Sequence, residues 1–244
     1  MSYVLSDKYQ VKEGEYSCYA YKTDPSVSFL KAPYMSLKDR IYHESLKLFS
    51  TKGYLNTSIS DIMQAADTSK GGFYNHFESK EDLFYEVLAI AQGIWREKVL
   101  YGLDEIDSPK GKIRKILENY QDRYLKDDFN FPGGCIFVTF SVELDDQRPD
   151  LMKEVAHGFM GLKRLLKKYL EEGKQEGELR SDVNTDRATE MIFSGMIGSS
   201  VLFGVDKSSD SLNKSINSLI LYLDGLTPTG SLVDINVEDH LLEI

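Results

Sequence analysis

Three helix-start signals fall inside one short stretch, Ser58 to Asp82, and they constrain the fold of this chain more than any other feature. Ser58 followed by Asp61 has the form of a capping box, in which the serine oxygen takes the N–H three residues on and the acid returns the bond. Ser69 stands ahead of "KGGFYNHF", and Ser79 with Asp82 repeats the box ahead of "LFYEVL". Between the first two signals Asp67-Thr68 makes a tight connection, since Asp tolerates a left-handed backbone angle. Upstream, Leu37, Ile41, Ser45, Leu48 and Phe49 recur on one helical face that Gly53 terminates.

The helical pattern continues. Leu83, Val87, Leu88, Ala91 and Trp95 keep the spacing, Ser108-Pro109 opens another helix, and "FNFPGG" breaks the chain at 129–134. "CIFVTFSVEL" has strand-like composition, but no partner strands lie nearby, so it reads as a helix. Pro149 starts a long helix, and two more follow over 185–203 and 208–226. The expected fold is all-α, with a three-helix helix-turn-helix domain at 35–82 and a helical domain at 83–227. Residues 1–34 hold six of the fifteen tyrosines with at most short strand-like alternation and read as an arm; 228–244 read as a tail. Met35 opens "MSLKDRI", which reads as a start in its own right.

With 41% hydrophobic and 28% charged residues the chain can bury a sizeable core. No apolar run approaches the ~18 residues that span a bilayer, and the N-terminus lacks a signal segment, so a cytoplasmic protein with no membrane partner is expected. Cys18 and Cys135 lack metal-site or disulfide spacing, and neither a metal nor a cofactor is expected. The net charge of −10 argues against a polyanionic partner until it is located. Residues 36–80 hold six Lys and Arg against five acids, whereas 81–244 hold nineteen against thirty. A near-neutral head on an acidic body is compatible with DNA touching the head alone.

Two short helices joined by a tight turn form the arrangement in which the second lies in a major groove and the first crosses the backbone. Gly71 and Gly72 each cost a helix ~1 kcal/mol relative to alanine, which makes sense where backbone must approach another surface closely. Tyr74, His76 and the serines Ser58, Ser60 and Ser69 offer hydrogen bonds to phosphate; Lys38, Lys70 and Lys80 offer charge, and the N-terminus of the helix after Ser79 an anion site. Asn75 carries the amide that pairs with adenine. Phe73 and Phe77 point the other way, toward the first helix.

These residues resemble the DNA-binding domain of the tetracycline-repressor (TetR) family. The resemblance runs from Arg40 to Leu88 and rests on Ile41, Phe49, Gly53, Tyr54, Thr57, Ser58, Ile59, Asp61, Ile62, Ser69, Lys70, Gly71, Tyr74, His76, Phe77, Lys80, Glu81 and Leu83. Asp67, Thr68, Gly72, Glu44 and Ser45 depart from the family's pattern and make base preference unreadable. The resemblance implies a homodimer on a palindromic double-stranded DNA operator, a helical C-terminal domain that binds a small-molecule effector, and repression relieved when that effector spreads the heads.

In the body, Ser194, Gly195, Gly198, Ser199 and Leu202 give a face of small residues, and with Ile216, Leu219, Ile220 and Leu223 they are expected to form the dimer interface. Tyr120, Tyr124, Phe137, Phe140 and Met152 are candidate effector-pocket residues, as are Phe159, Met160, Met191 and Phe193, because methionine and aromatics make adaptable apolar walls. Ordinary core is the competing reading for each. Glu143 is a candidate inward carboxylate, competing with an exposed helix-end acid, and Cys135 in "GGCIF" a candidate redox thiol, competing with simple packing.

An enzyme is not expected: the four histidines are scattered, and H-E-x-x-H, P-loop and G-x-S-x-G motifs are absent. The surviving alternative is a regulator-like helical protein acting through a protein partner without binding DNA.

Overall fold

The computed structural model describes residues 35–228. The arm expected at 1–34 and, apart from Pro228, the tail expected at 228–244 lie outside the described residues. Among the described residues, those from Leu37 onward form one compact unit. Its elements among the described residues are all helical: α1 (Leu37–Lys52), α2 (Ile59–Ala65), α3 (Lys70–Tyr74), α4 (Lys80–Val99), α5 (Pro109–Asn119), α6 (Ile136–Leu144), α7 (Pro149–Gln175), α8 (Thr185–Asp206) and α9 (Ser209–Asp224). The all-α expectation holds, and "IFVTFSVEL" is helical because α6 packs on α7, where no strand edge exists to pair with it. α4 runs straight through the boundary expected after residue 82.

The caps act as their spacing requires. Ser58 and Asp61 exchange both bonds of a capping box, and Ser69, Ser79, Ser108 and Ser208 each accept the N–H of the residue three positions on. Asp67 takes φ +48°, the left-handed turn between α2 and α3. α3 stops at Tyr74, short of the "KGGFYNHF" span, since its two glycines weaken propagation. Ile41, Phe49, Ile62, Phe73 and Phe77 bury together, with Tyr42 edge-on to Phe77 at 5.5 Å between centroids, and this packing is continuous with the core of the body.

α5 passes into a π-helical turn, Tyr120–Leu125, and Asn119 donates from its side chain to the Val99 and Tyr101 carbonyls to fasten it to the end of α4. α8 corrects one expectation, that no apolar stretch approaches the length that spans a bilayer. α8, at 22 residues, is long and apolar enough to cross a bilayer by length and composition. It has that character because both its faces are apolar: one packs on α7 and α9, and the other carries Met191, Val201, Leu202 and Val205 outward.

Candidate nucleic-acid interface and its link to the body

With Phe73 and Phe77 buried, helical geometry turns the opposite side of α3 outward. Ser69, Lys70, Gly71, Tyr74, Asn75 and His76 are exposed there, as are Ser58 and Ser60 at the start of α2. Tyr74 is 46% exposed, and its ring lies 5.9 Å from the Lys70 ammonium, which has no carboxylate partner among the described residues. This face offers a cation and a phenol on α3 and an amide and an imidazole in the turn that follows it, the set that donates to phosphates and base edges.

Three residues expected at this face are engaged elsewhere. The Lys38 ammonium pairs with Glu86 on α4 at 3.0 Å and lies over the Tyr42 and Phe77 rings. Lys80 points inward: its Nζ donates to the Tyr54 and Thr57 carbonyls at 2.9 and 3.0 Å and sits 4.3 Å from the Tyr54 ring centre. Burial pulls the pKa of that ammonium down, with the nearby Glu143 carboxylate opposing. Gly72 is explained from within, since a Cβ there would strike the Thr68 hydroxyl, whereas a Cβ on Gly71 would meet open space apart from the Ser69 hydroxyl at 3.9 Å. Only Gly71 therefore keeps the reading of backbone bared to an outside surface. The start of α4 is also partly occupied: Ser79 accepts from Asp82 N–H and Asp82 from Glu78 N–H.

The turn from α1 to α2 joins this head to the body. Glu143, in the last turn of α6, lines no enclosed pocket; its carboxylate accepts from Tyr54 N–H at 2.6 Å, Leu55 N–H at 2.9 Å and the Asn56 amide at 3.2 Å. The approach is possible because Gly53, at φ +81°, has no Cβ; one would land on that carboxylate. Beside it Phe140, also expected in the pocket, packs against Phe49 and Phe84 at 6.0 and 5.0 Å between centroids. Gly133 lies so close to the Ser50 carbonyl that a Cβ would collide with it. Arg148, ahead of α7, pairs with Glu81 on α4 at 2.7 Å. Nothing in the sequence marked Glu143 or Arg148 for these roles, because each partner is more than sixty residues away.

The remaining pocket candidates do not converge. Tyr120 and Tyr124 stack at 5.6 Å inside the body, with the Tyr124 hydroxyl donating to Cys135 Sγ at 3.5 Å. The Tyr120 hydroxyl lies beside Cys135 and Ser200 without a well-formed hydrogen bond. Phe137 is buried in the core; Phe159 meets Phe193 edge-on at 5.7 Å between α7 and α8, and Met152 is partly buried against the core. Met160 and Met191 face outward. Burial pushes the Cys135 thiol up, and hydrogen bonds from the Tyr124 hydroxyl and the Val138 and Phe137 backbone oppose this without outweighing it, which is the reverse of the lowered pKa a redox thiol needs.

Two open cavities lie elsewhere. A cleft of about 510 Å³ between α5, the π turn and α9 is lined by Arg114, Glu118, Gln121, Arg123 and Asn217 among others. A groove of about 380 Å³ runs between head and body, bounded by Lys52, Gly53 and Asn56 on one side and by Cys135, Glu143 and Ser200 on the other.

The expected interface residues divide as well. Ser199, Ile216, Leu219, Ile220 and Leu223 are buried within the chain, and Leu219 fills the space a Cβ on Gly195 would take. Ser194 and Leu202 are exposed and Gly198 partly so. They share the outer face with Met191, Val201 and Val205, and with Leu221 of α9. The i, i+3/i+4 spacing from Met191 to Val205 was the available signal for that outer stripe.

Head and body together define a helix-turn-helix DNA-binding protein with a helical C-terminal domain. Residues 41–87 match the tetR family of bacterial regulatory proteins, and residues 109–219 the tetracycline repressor-like C-terminal domain. The chain belongs to the TetR family of transcriptional regulators and is a DNA-binding transcriptional regulator. An uncharacterized HTH-type transcriptional regulator in the lacX 3′ region of Lactococcus lactis subsp. lactis is 31% identical over 141 residues, 54% of this chain and 72% of that protein. The HTH-type transcriptional repressor DhaR of Mycobacterium sp. (strain GP1) is 25% identical over 179 residues, 73% and 87% of the two chains. A TetR transcriptional regulator from Chloroflexus aurantiacus J-10-FL superimposes with TM-score 0.71 at 29% identity, covering 77% of this chain and 93% of that one.

Proposed function

We propose that this chain is a cytoplasmic repressor that binds a palindromic operator as a homodimer, through a head at 35–82 carried by a body at 83–227, and leaves it when a small molecule binds the body. The observation that carries this reading is the outward face of α3 and the turn after it, where Lys70, Gly71, Tyr74, Asn75 and His76 stand exposed over a buried Phe73. The relative DhaR, named a repressor, supports the sign of regulation.

Dimerisation is favoured by the α8 stripe. A monomer leaving Met191, Val201, Leu202 and Val205 in water on one helix has an apolar face suited to a second copy. A two-fold dimer places its recognition helices ~34–36 Å apart, which is why the operator is expected to be a palindrome. For the effector, the groove between head and body is the favoured seat, since a molecule there would touch both Gly53 and Cys135, and Val201 places it next to the dimer stripe.

The test is a mobility shift with the purified protein and duplexes from upstream of its own gene. Binding that survives ~150 mM salt and is footprinted as two half-sites supports the reading. Binding to none, with capture of a protein partner instead, transfers the function to the alternative without DNA.

A further inference from the structure

The α1–α2 turn carries a buried backbone group, the Tyr54 N–H, that the head does not satisfy alone. Gly53, Tyr54 and Thr57 are buried, and buried N–H and C=O groups must find partners. Within the head, Gly53 N–H donates to the Phe49 carbonyl, the Thr57 hydroxyl to the Gly53 carbonyl at 2.6 Å, and Lys80 to the carbonyls of Tyr54 and Thr57. The N–H groups of Tyr54 and Leu55 go to Glu143 on α6, and the Asn56 side-chain amide joins them.

Glu143 differs in kind from the apolar ties around it. Contact of Phe140 with Phe49 and Phe84 is non-directional and holds the two parts together without choosing a rotation. Three hydrogen bonds converging on one carboxylate require their N–H vectors to point at it, and such charge-assisted bonds are short and oriented. Two of the donors are backbone, so what is oriented is the turn itself, and α2 begins at Ile59 directly after it. The ammonium of Lys80 grips the carbonyls of the same turn, so the turn lies between a cation from α4 and an anion from α6.

We propose that Glu143 is a positioning residue for DNA binding: its carboxylate fixes the angle at which the body presents α2 and α3, and displacement of α6 changes that angle through it. The proposal rests on the operator-binding reading above and adds the residue through which the body sets the spacing of the two heads. Glu143 touches no DNA; it acts through the Tyr54–Asn56 turn.

The test compares the wild-type chain with Glu143→Gln and Glu143→Asp on 30-base-pair duplexes cut from a fragment the wild type selects. In these the two half-sites are moved apart or together by one and two base pairs. Glu143→Gln keeps the shape but replaces one acceptor oxygen with a donor facing N–H groups; Glu143→Asp keeps the charge but falls one methylene short. We expect at least a tenfold loss of affinity at the native spacing for Glu143→Gln. The ratio of affinities between the native and the shifted spacings should collapse by a similar factor, with far-ultraviolet helicity unchanged. Glu143→Asp should lie between the two and decides the matter if the Gln variant does not fold. A merely structural role lowers the thermal midpoint and leaves the spacing ratio as in the wild type, and that result overturns the proposal. Failure of the wild type to select any fragment would instead overturn the operator-binding reading itself.

Discussion

The carboxylate of Glu143 occupies the place where a side chain on Gly53 would begin, so a left-handed glycine in the head and an acid on α6 are shaped to each other. Gly53→Ala meets two costs: a left-handed backbone angle worth ~1–2 kcal/mol for a residue with Cβ, and expulsion of the carboxylate from its three donors. Urea unfolding should show a loss of at least ~2 kcal/mol with an unchanged m-value.

Lys70 and Lys80, ten residues apart, should separate cleanly. Lys70→Ala removes an exposed cation with no internal carboxylate partner, so stability stays within ~0.5 kcal/mol while the salt slope of operator binding falls by ~0.9, one phosphate contact. Lys80→Met strips the Tyr54 and Thr57 carbonyls of a charged donor and should cost ~1.5–3 kcal/mol of stability. Titrations of both variants at two salt concentrations, beside their melting curves, check this.

The adjacent glycines should diverge too. At Gly71 a methyl group meets open space, so Gly71→Ala gains up to ~1 kcal/mol of helix stability and loses operator affinity, because the methyl group faces the DNA side. At Gly72 the methyl group meets the Thr68 hydroxyl, so Gly72→Ala gains little stability and changes operator affinity less than Gly71→Ala does. Calorimetry and anisotropy titrations on the two alanine variants give the comparison.

Val205 is 80% exposed on the α8 stripe, so Val205→Glu leaves the protomer's own core intact. A charge on that face should shift sedimentation from dimer to monomer at micromolar concentration and reduce operator affinity more than tenfold. A wild-type protein that already sediments as a monomer contradicts the expectation.

Burial raises the pKa of Cys135, Tyr120 and Tyr124 above the ordinary values of 9.0 for the thiol and 10.0 for the phenols. Each group therefore holds its proton more tightly when folded than unfolded. The stability this contributes is fully present below the ordinary thiol value and is lost as pH rises through the folded values. The urea midpoint should be level near pH ~7–8 and fall from pH ~9 upward, with a shallower fall in a Cys135→Ala, Tyr124→Phe double variant. Iodoacetamide at pH ~7.5 should leave native Cys135 unmodified and label it after unfolding.

The residues themselves determined whatever rests on neighbours in the chain. The caps at Ser58, Ser69 and Ser79, the left-handed Asp67, and Phe73 and Phe77 turned inward beneath Tyr74 all follow from hydrogen bonds and side-chain periods a few positions long. The helical fold and the outward face of α3 were legible for that reason. Tertiary structure alone decided which of two lysines stays free, which face of the twice-apolar α8 turns outward, and that Glu143 reaches the turn after α1. Those outcomes depend on groups brought together from distant parts of the chain, where a buried N–H or a missing Cβ selects its partner only after the helices have packed.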